Sequence, residues 1–269
     1  MALKLNIDII TDQGIRFLEF RELKALGIPH LMTTKDYNTG LKSCGNPEEI
    51  QRQYRHILEL LNARSDGFWL LEQVHSNQVV EIKRTLSAEI FPPGHILRKV
   101  DGLVTDEAGI SLATTFADCV PLILVDPIQH ALANLHSGWK GTLTQIGKVS
   151  LEKMTALYGT KPEDVKVFIG PHIQAKDFEV QKDLKEAFEQ EFGEYLPNSK
   201  AGNYIRSKDQ HHWTVDLAAV IESMFLELGI SAGNIYAAQE STYEDSELFH
   251  SWRRDGQAFG IMSLVTLNP

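Results

Sequence analysis

The sequence predicts a mixed α and β fold in one domain, and three observations predict it. Strand-like and helix-like segments alternate along the chain, and one apolar pair of segments reads as a buried hairpin. No repeat, low-complexity stretch or Pro/Gly/Ser-rich linker divides the chain. Its 269 residues exceed a typical domain, yet α/β chains of this size form one unit with a large core, so one domain over 1–269 is expected.

The elements follow in order. Asn46-Pro47-Glu48-Glu49 supplies an N-cap, a proline at the first helical position and an acidic first turn. Ile50, Tyr54, Ile57, Leu58 and Leu61 then recur at helical spacing, which predicts an amphipathic helix. β-Branched and aromatic runs predict strands over 68–71, 78–82, 102–105, 120–125, 131–135, 165–169, 235–238 and 260–267. A second helix is expected from Gly141 to about Tyr158. A third runs through Val180, Leu184, Phe188 and Phe192, and a fourth carries Leu217, Val220, Ile221, Met224 and Phe225 to Gly229. The run Pro121-Leu122-Ile123-Leu124-Val125 is apolar on both faces, and Asp126-Pro127-Ile128-Gln129 turns it into Ala131-Leu132-Ala133-Asn134-Leu135.

Composition narrows the function. A hydrophobic fraction of 43% with 23% charged residues is that of a soluble globule, which disfavours disorder and a membrane class. The formal net charge of -10 and the lack of a Lys/Arg cluster argue against nucleic acid and anionic membranes as partners. The first residues are interrupted by charge too soon for a signal peptide, so a cytoplasmic address is expected. Cys44 and Cys119 are expected as free thiols.

The hairpin carries the first functional inference. An antiparallel pair brings its outer termini together, so Cys119, just before one strand, should meet His136, just after the other. With His75 from Gln73-Val74-His75-Ser76-Asn77, one thiol and two imidazoles would form a shell suited to a borderline-soft metal such as zinc, with one position open. Taken singly, such a cysteine is a small buried hydrophobe and such a histidine a structural residue; the pairing tips the balance, and Asp118 is expected to orient a neighbouring imidazole. The other eight histidines show no metal spacing. Two further segments suit anions. Ser137-Gly138-Trp139-Lys140-Gly141-Thr142 is a strand-to-helix turn that either cradles a phosphate or is merely a tight turn. Phe249-His250-Ser251-Trp252-Arg253-Arg254-Asp255-Gly256 either grips an anion or planar ring or forms an internal Arg-Asp pair.

Together, Gln73-Val74-His75, Asp101-Gly102-Leu103-Val104-Thr105-Asp106, Ala117-Asp118-Cys119-Val120-Pro121, Asp126-Pro127, His136-Ser137-Gly138-Trp139-Lys140-Gly141, Ile169-Gly170-Pro171 and Ser251-Trp252-Arg253-Arg254-Asp255-Gly256 resemble the YfiH family, also called the laccase-domain or polyphenol-oxidase-like family. The resemblance covers most of the chain, in order. It implies an α+β fold, an α-β-β-α layered sandwich with mixed β-sheets, and a catalytic zinc on His75, Cys119 and His136. It also implies phosphorolysis of adenosine, inosine, guanosine and methylthioadenosine, with adenosine deamination as a second activity. Purine nucleoside and phosphate are then the partners. Lys140 and Arg253 become the candidates to hold phosphate and to stabilise charge on the departing base.

Two departures from the family pattern stand out. Members carry Ser-Thr-Arg where this chain reads Met32-Thr33-Thr34-Lys35, followed by a shortened glycine-rich stretch, and Cys-Thr where it has Ser241-Thr242. Three rival functions use the same residues. A copper-dependent polyphenol oxidase is disfavoured because no two of the ten histidines form the His-X-His pairs of a trinuclear cluster, leaving copper as an in vitro guest. A cysteine hydrolase would use Cys119 as nucleophile and His136 or His75 as base on amide bonds such as those of cell-wall precursors. A non-catalytic purine-binding sensor would keep the fold without turnover.

Overall fold

Strands that are apolar on both faces need cover on both sides, and the chain provides it by stacking two sheets between layers of helices. The structure, a computed structural model, describes residues 1–41, 43–193, 204–256 and 260–269. The chain opens with β1 (Leu3–Lys4), β2 (Ile7–Asp12), β3 (Ile15–Phe20) and β4 (His30–Thr33), then β5 (Phe68–Glu72), β6 (Val79–Glu81), β7 (Glu89–Phe91) and β8 (Gly94–Arg98). Its middle holds β9 (Gly102–Thr105), β10 (Ser111–Phe116), β11 (Val120–Asp126), β12 (Ala131–Ser137) and β13 (Lys166–Ile169). It ends with β14 (Glu179–Val180), β15 (Ile205–Ser207), β16 (Trp213–Val215), β17 (Ile235–Ala237) and β18 (Met262–Leu267). The helices are α1 (Arg21–Ala25), α2 (Pro47–Leu60), α3 (Trp139–Leu143), α4 (Ile146–Tyr158), α5 (Lys182–Phe192), α6 (Leu217–Glu227) and α7 (Trp252–Asp255).

One sheet runs β1-β17-β13-β11-β12-β9-β6 and the other β2-β3-β4-β18-β10-β5-β8-β7, with β14-β16-β15 as a small third. Both large sheets mix parallel and antiparallel pairs. Side chains alternate along β11: Leu122 and Leu124 pack with α4, α5 and α6, while Ile123 and Val125 pack between the sheets. On β5, Trp69 and Leu71 join the same inter-sheet core, and Phe68 and Leu70 meet Ile50, Tyr54 and Ile57 of α2 on the outer side. The order is therefore α-β-β-α, as the resemblance implies.

The hairpin forms as expected, with Pro121 opposite His136 and Asp126 opposite Ala131. The Asp126 carboxylate caps its turn by accepting from the amides of Ile128 and Gln129. Asn46 caps α2 by accepting from the amides of Glu48 and Glu49. Two helix predictions are corrected. The helix expected from Gly141 to Tyr158 starts at Trp139 and is two helices, α3 and α4, because Gln145 adopts a left-handed φ of 57° and redirects the chain. Val180 lies in β14, opposite Trp213, and α5 begins only at Lys182.

β10 goes unpredicted because its inward positions are not all apolar. Leu112 and Phe116 join the inter-sheet core, but Thr114 between them donates to Asn134 Oδ1 of the facing sheet at 2.7 Å. The Asn134 amide donates in turn to the carbonyls of Leu112 and Leu264, so a buried polar link ties the two sheets together.

Candidate metal centre

Cys119 sits where the chain crosses between sheets, since β10 belongs to one and β11 to the other, and Ala117-Asp118-Cys119 joins them. The crossing is tight: Asp118 takes a φ of 83°, a region L residues other than Asn and Asp rarely visit. His136 projects from β12. His75 stands in the loop after β5, also left-handed, with a φ of 61°.

One carboxylate gathers these pieces. Asp101, immediately before β9 and fully buried, accepts from the amides of Val74, His75 and Ser76 and from the Ser76 hydroxyl. It also bonds His136 Nδ1 at 2.9 Å, and its own carbonyl accepts from the His136 amide. With Nδ1 committed to Asp101, Nε2 is the nitrogen left for the cleft. Burial opposes the carboxylate's charge, but the bonds from His136 and Ser76 hold Asp101 down at about 2.

The three candidate ligands converge as predicted. Their donor atoms all lie within 4.8 Å of one another, with Cys119 Sγ 3.8 Å from His75 Nε2. The imidazoles of His75 and His136 meet edge to face, 4.8 Å between centroids. Burial alone would raise the Cys119 thiol, but the facing His136 charge and the imidazole hydrogen bonds bring it down to about 6. Desolvation likewise opposes protonation of His136, and the charge of Cys119 with the bond to Asp101 raises it to about 9. One thiolate and two imidazoles, the buried one oriented by a carboxylate, suit a tetrahedral metal with a position open.

Gly138 is needed for space rather than for conformation. Its φ is an ordinary -71°, but a Cβ there would come within 2.8 Å of Cys119 Sγ and 2.9 Å of a His75 ring carbon. The phosphate-cradle expectation for this turn gains nothing from α3, a helix of five residues.

Beyond the ligands opens a cleft of about 960 Å³, lined by His75, Cys119, His136, Lys140 and Arg253, so all five predicted site residues face one space. Lys140 is exposed, its ammonium 5.2 Å above the Trp139 ring. Arg253 lies over Phe178, and both terminal nitrogens donate to the Glu179 carbonyl. The Arg-Asp pair exists too, but in Arg254, which bonds Asp255 and the carbonyls of Thr242, Tyr243 and Phe249.

Several expectations change. Asp118 does not orient an imidazole: its carboxylate faces Thr242, Ser251 and the Arg253 amide, and Asp101 does the orienting instead. The sequence signal for Asp101 was present, an acid directly before a central strand, but nothing local distinguishes it from a turn residue. Phe178 and Glu179, which hold Arg253 in the cleft, carry no motif or spacing that singles them out in the sequence. Lys35 lies outside the cleft lining, its ammonium bonded to the Ser246 carbonyl, while Gly40, Leu41 and Ser43 after it line the cleft; residue 42 of that altered stretch lies outside the described residues. Ser241 is buried beside Asp177.

An α-β-β-α sandwich with a His-Cys-His group at the base of an open cleft defines a class of layered proteins equipped to hold a metal ion. The chain belongs to the YfiH, or laccase-domain, family: residues 28–268 match the family model described as "Multi-copper polyphenol oxidoreductase laccase". It is 28% identical over 230 residues to the Bacillus subtilis protein named purine nucleoside phosphorylase YlmD, covering 85% of this chain and 81% of that one. A Bacteroides thetaiotaomicron protein named purine nucleoside phosphorylase is 29% identical over 266 residues, 94% of this chain and 97% of the relative. The crystal structure of YlmD from Geobacillus stearothermophilus shares the fold, with a TM-score of 0.87 at 24% identity over 97% of this chain and 99% of that one. Among the described residues, no helix is long and apolar enough to cross a membrane.

Proposed function

We propose that this chain is a zinc-dependent purine nucleoside phosphorylase acting on adenosine, inosine, guanosine and methylthioadenosine, with adenosine deamination as a second activity. The observation that carries the reading is that His75, Cys119, His136, Lys140 and Arg253 line a single cleft. Relatives of the same family that bear the phosphorylase name support it. We take the chain to work as one cytoplasmic domain, and its net charge of -10 suits a nucleoside rather than nucleic acid as partner.

His75, Cys119 and His136 would hold zinc. When bound, the metal supplies Lewis-acid polarisation and, for deamination, a water of lowered pKa. The chain supplies the rest. Asp101 fixes the His136 tautomer and the His75 loop, so the donors need no rearrangement. In phosphorolysis, phosphate attacks the anomeric carbon as the purine leaves. Arg253, already docked on Glu179 and Phe178, offers its remaining guanidinium N-H groups to phosphate. Lys140, free to swing from Trp139, stabilises negative charge on the departing base. Trp139, Phe178 and Trp252 give the cleft aromatic walls suited to a purine ring.

The test is incubation of metal-quantified protein with inosine, with and without phosphate, following hypoxanthine and ribose 1-phosphate. Phosphate-dependent release that disappears in Cys119→Ala together with the zinc is the expected result; turnover that survives loss of the metal would sink it. The placement of the Cys119 thiol 3.8 Å from His75 Nε2, with His136 facing it and holding the thiol below its ordinary value, favours a second reading, the cysteine hydrolase. It predicts metal-independent activity abolished by iodoacetamide.

A further inference from the structure

Asp118 has no part in the chemistry above, yet its carboxylate is more deliberately housed than any surface acid. It is 7% exposed. It accepts from Thr242 Oγ1 at 2.7 Å, from Ser251 Oγ at 3.0 Å and from the backbone amide of Arg253 at 2.7 Å. All three donors are neutral, and no ion pair to Asp118 exists among the described residues. Its φ of 83° holds the chain in a sharp crossing, and the next residue is Cys119.

A single residue thus spans two parts of the cleft. Through one peptide bond it fixes the turn that presents the Cys119 thiol. Through one charge-assisted hydrogen bond it fixes the main chain of Arg253, more than a hundred residues away in sequence. Because the contact is to the amide of Arg253 and not to its side chain, the guanidinium charge is not neutralised. The guanidinium is docked separately on the Glu179 carbonyl and the Phe178 ring. Of its five N-H donors two serve Glu179, which leaves three without protein partners among the described residues.

We propose that Asp118 is a positioning residue: it registers the Arg253 backbone against the Cys119 turn and so sets where the guanidinium meets phosphate, without touching substrate itself. The proposal rests on the phosphorylase reading for the identity of the anion. Thr242 and Ser251 belong to the same device, since each holds one carboxylate oxygen.

The test uses the zinc-loaded full chain, titrated with inorganic phosphate by calorimetry and assayed in parallel for inosine phosphorolysis. Asp118→Asn keeps a residue at home at the φ of 83° and so keeps the Cys119 turn, but it removes the carboxylate charge; it should weaken phosphate binding and raise the KM for phosphate about tenfold, with the KM for inosine and the zinc content unchanged. Thr242→Val, a milder change that keeps the carboxylate, should shift phosphate binding the same way by about threefold, and carries the test if Asp118→Asn does not fold. The decisive comparison is the double variant D118N/R253A, which should bind phosphate no more weakly than R253A alone. Losses that add, equal rises in both KM values, or loss of zinc in Asp118→Asn would overturn the proposal, as would a wild-type chain that does not bind phosphate. A wild-type chain that binds phosphate with the expected pattern but releases no hypoxanthine supports the positioning role and refutes inosine phosphorolysis instead.

Discussion

The two sides of the cleft are each organised by a buried aspartate, and the two aspartates are used differently. Asp101 receives an imidazole along with three amides and a hydroxyl, so it sets a tautomer and supports a charge. Asp118 receives two hydroxyls and one amide, so it sets a distance and leaves the nearby cation unneutralised. On the ligand side, under the proposed reading, the donor atoms match a metal to within tenths of an ångström, and a carboxylate bonded to the ligand itself supplies that rigidity. On the Arg253 side, under the proposed reading, the guanidinium keeps its charge for phosphate, and a carboxylate bonded to it would cancel that charge.

The comparison is broken most severely by Asp101→Asn. The substitution preserves shape but removes the charge facing His136, and the new amide sets a donor against a region that supplies only donors. Metal affinity should fall about 10- to 100-fold, as measured by competition with a chelator. Zinc retained at wild-type affinity would show that Asp101 merely shapes the loop. On the opposite side, Arg253→Lys keeps the charge but loses the planar fork that engages the Glu179 carbonyl through two nitrogens. Its expected effect is smaller and of another kind: a rise of roughly tenfold in the KM for phosphate, with zinc content unchanged. Loss of zinc in this variant would mean that the two sides are not independent.

Legibility in the sequence followed the same division. On the ligand side only the Cys119–His136 pair is legible from local pattern, because a short-looped antiparallel hairpin brings them together and the pairing of Pro121 with His136 is the register that the turn at Asp126 implies; His75 and Asp101 come from other parts of the chain. The Arg253 side is not, because Asp118 meets Thr242, Ser251 and Arg253 across more than a hundred residues, and no periodicity encodes such contacts. That is why the sequence pairs Asp118 with an imidazole, while the fold pairs it with Thr242, Ser251 and the Arg253 amide. Among the elements, strands with apolar inward faces such as β9 and β11 announced themselves, whereas β10, whose inward Thr114 bonds Asn134, and the β2–β3 hairpin did not. The left-handed Gln145 that splits α3 from α4 is likewise a tertiary outcome, imposed on a residue with no turn signal of its own.

The subtlest effect concerns the ligand side alone and its charge. In metal-free protein the Cys119 thiol lies lowered, at about 6, and His136 lies raised, at about 9, so a thiolate and an imidazolium face each other between those values. The depressed thiol favours the folded chain most fully above the ordinary thiol value of about 8.5, and that contribution is lost as pH falls through about 6. The raised imidazole contributes most fully below about 6.5 and is lost as pH rises through about 9. Chelator-treated protein carrying Cys44→Ser, so that Cys119 is the single thiol, should therefore react with iodoacetamide along a curve whose midpoint lies near pH 6. Zinc should suppress the reaction across the range, because coordination draws negative charge off the sulfur and lowers its nucleophilicity. A midpoint near 8.5 in the metal-free chain would mean that His136 does not present its charge to the thiol, and Asp101 would then lose its claim to hold that imidazole in place.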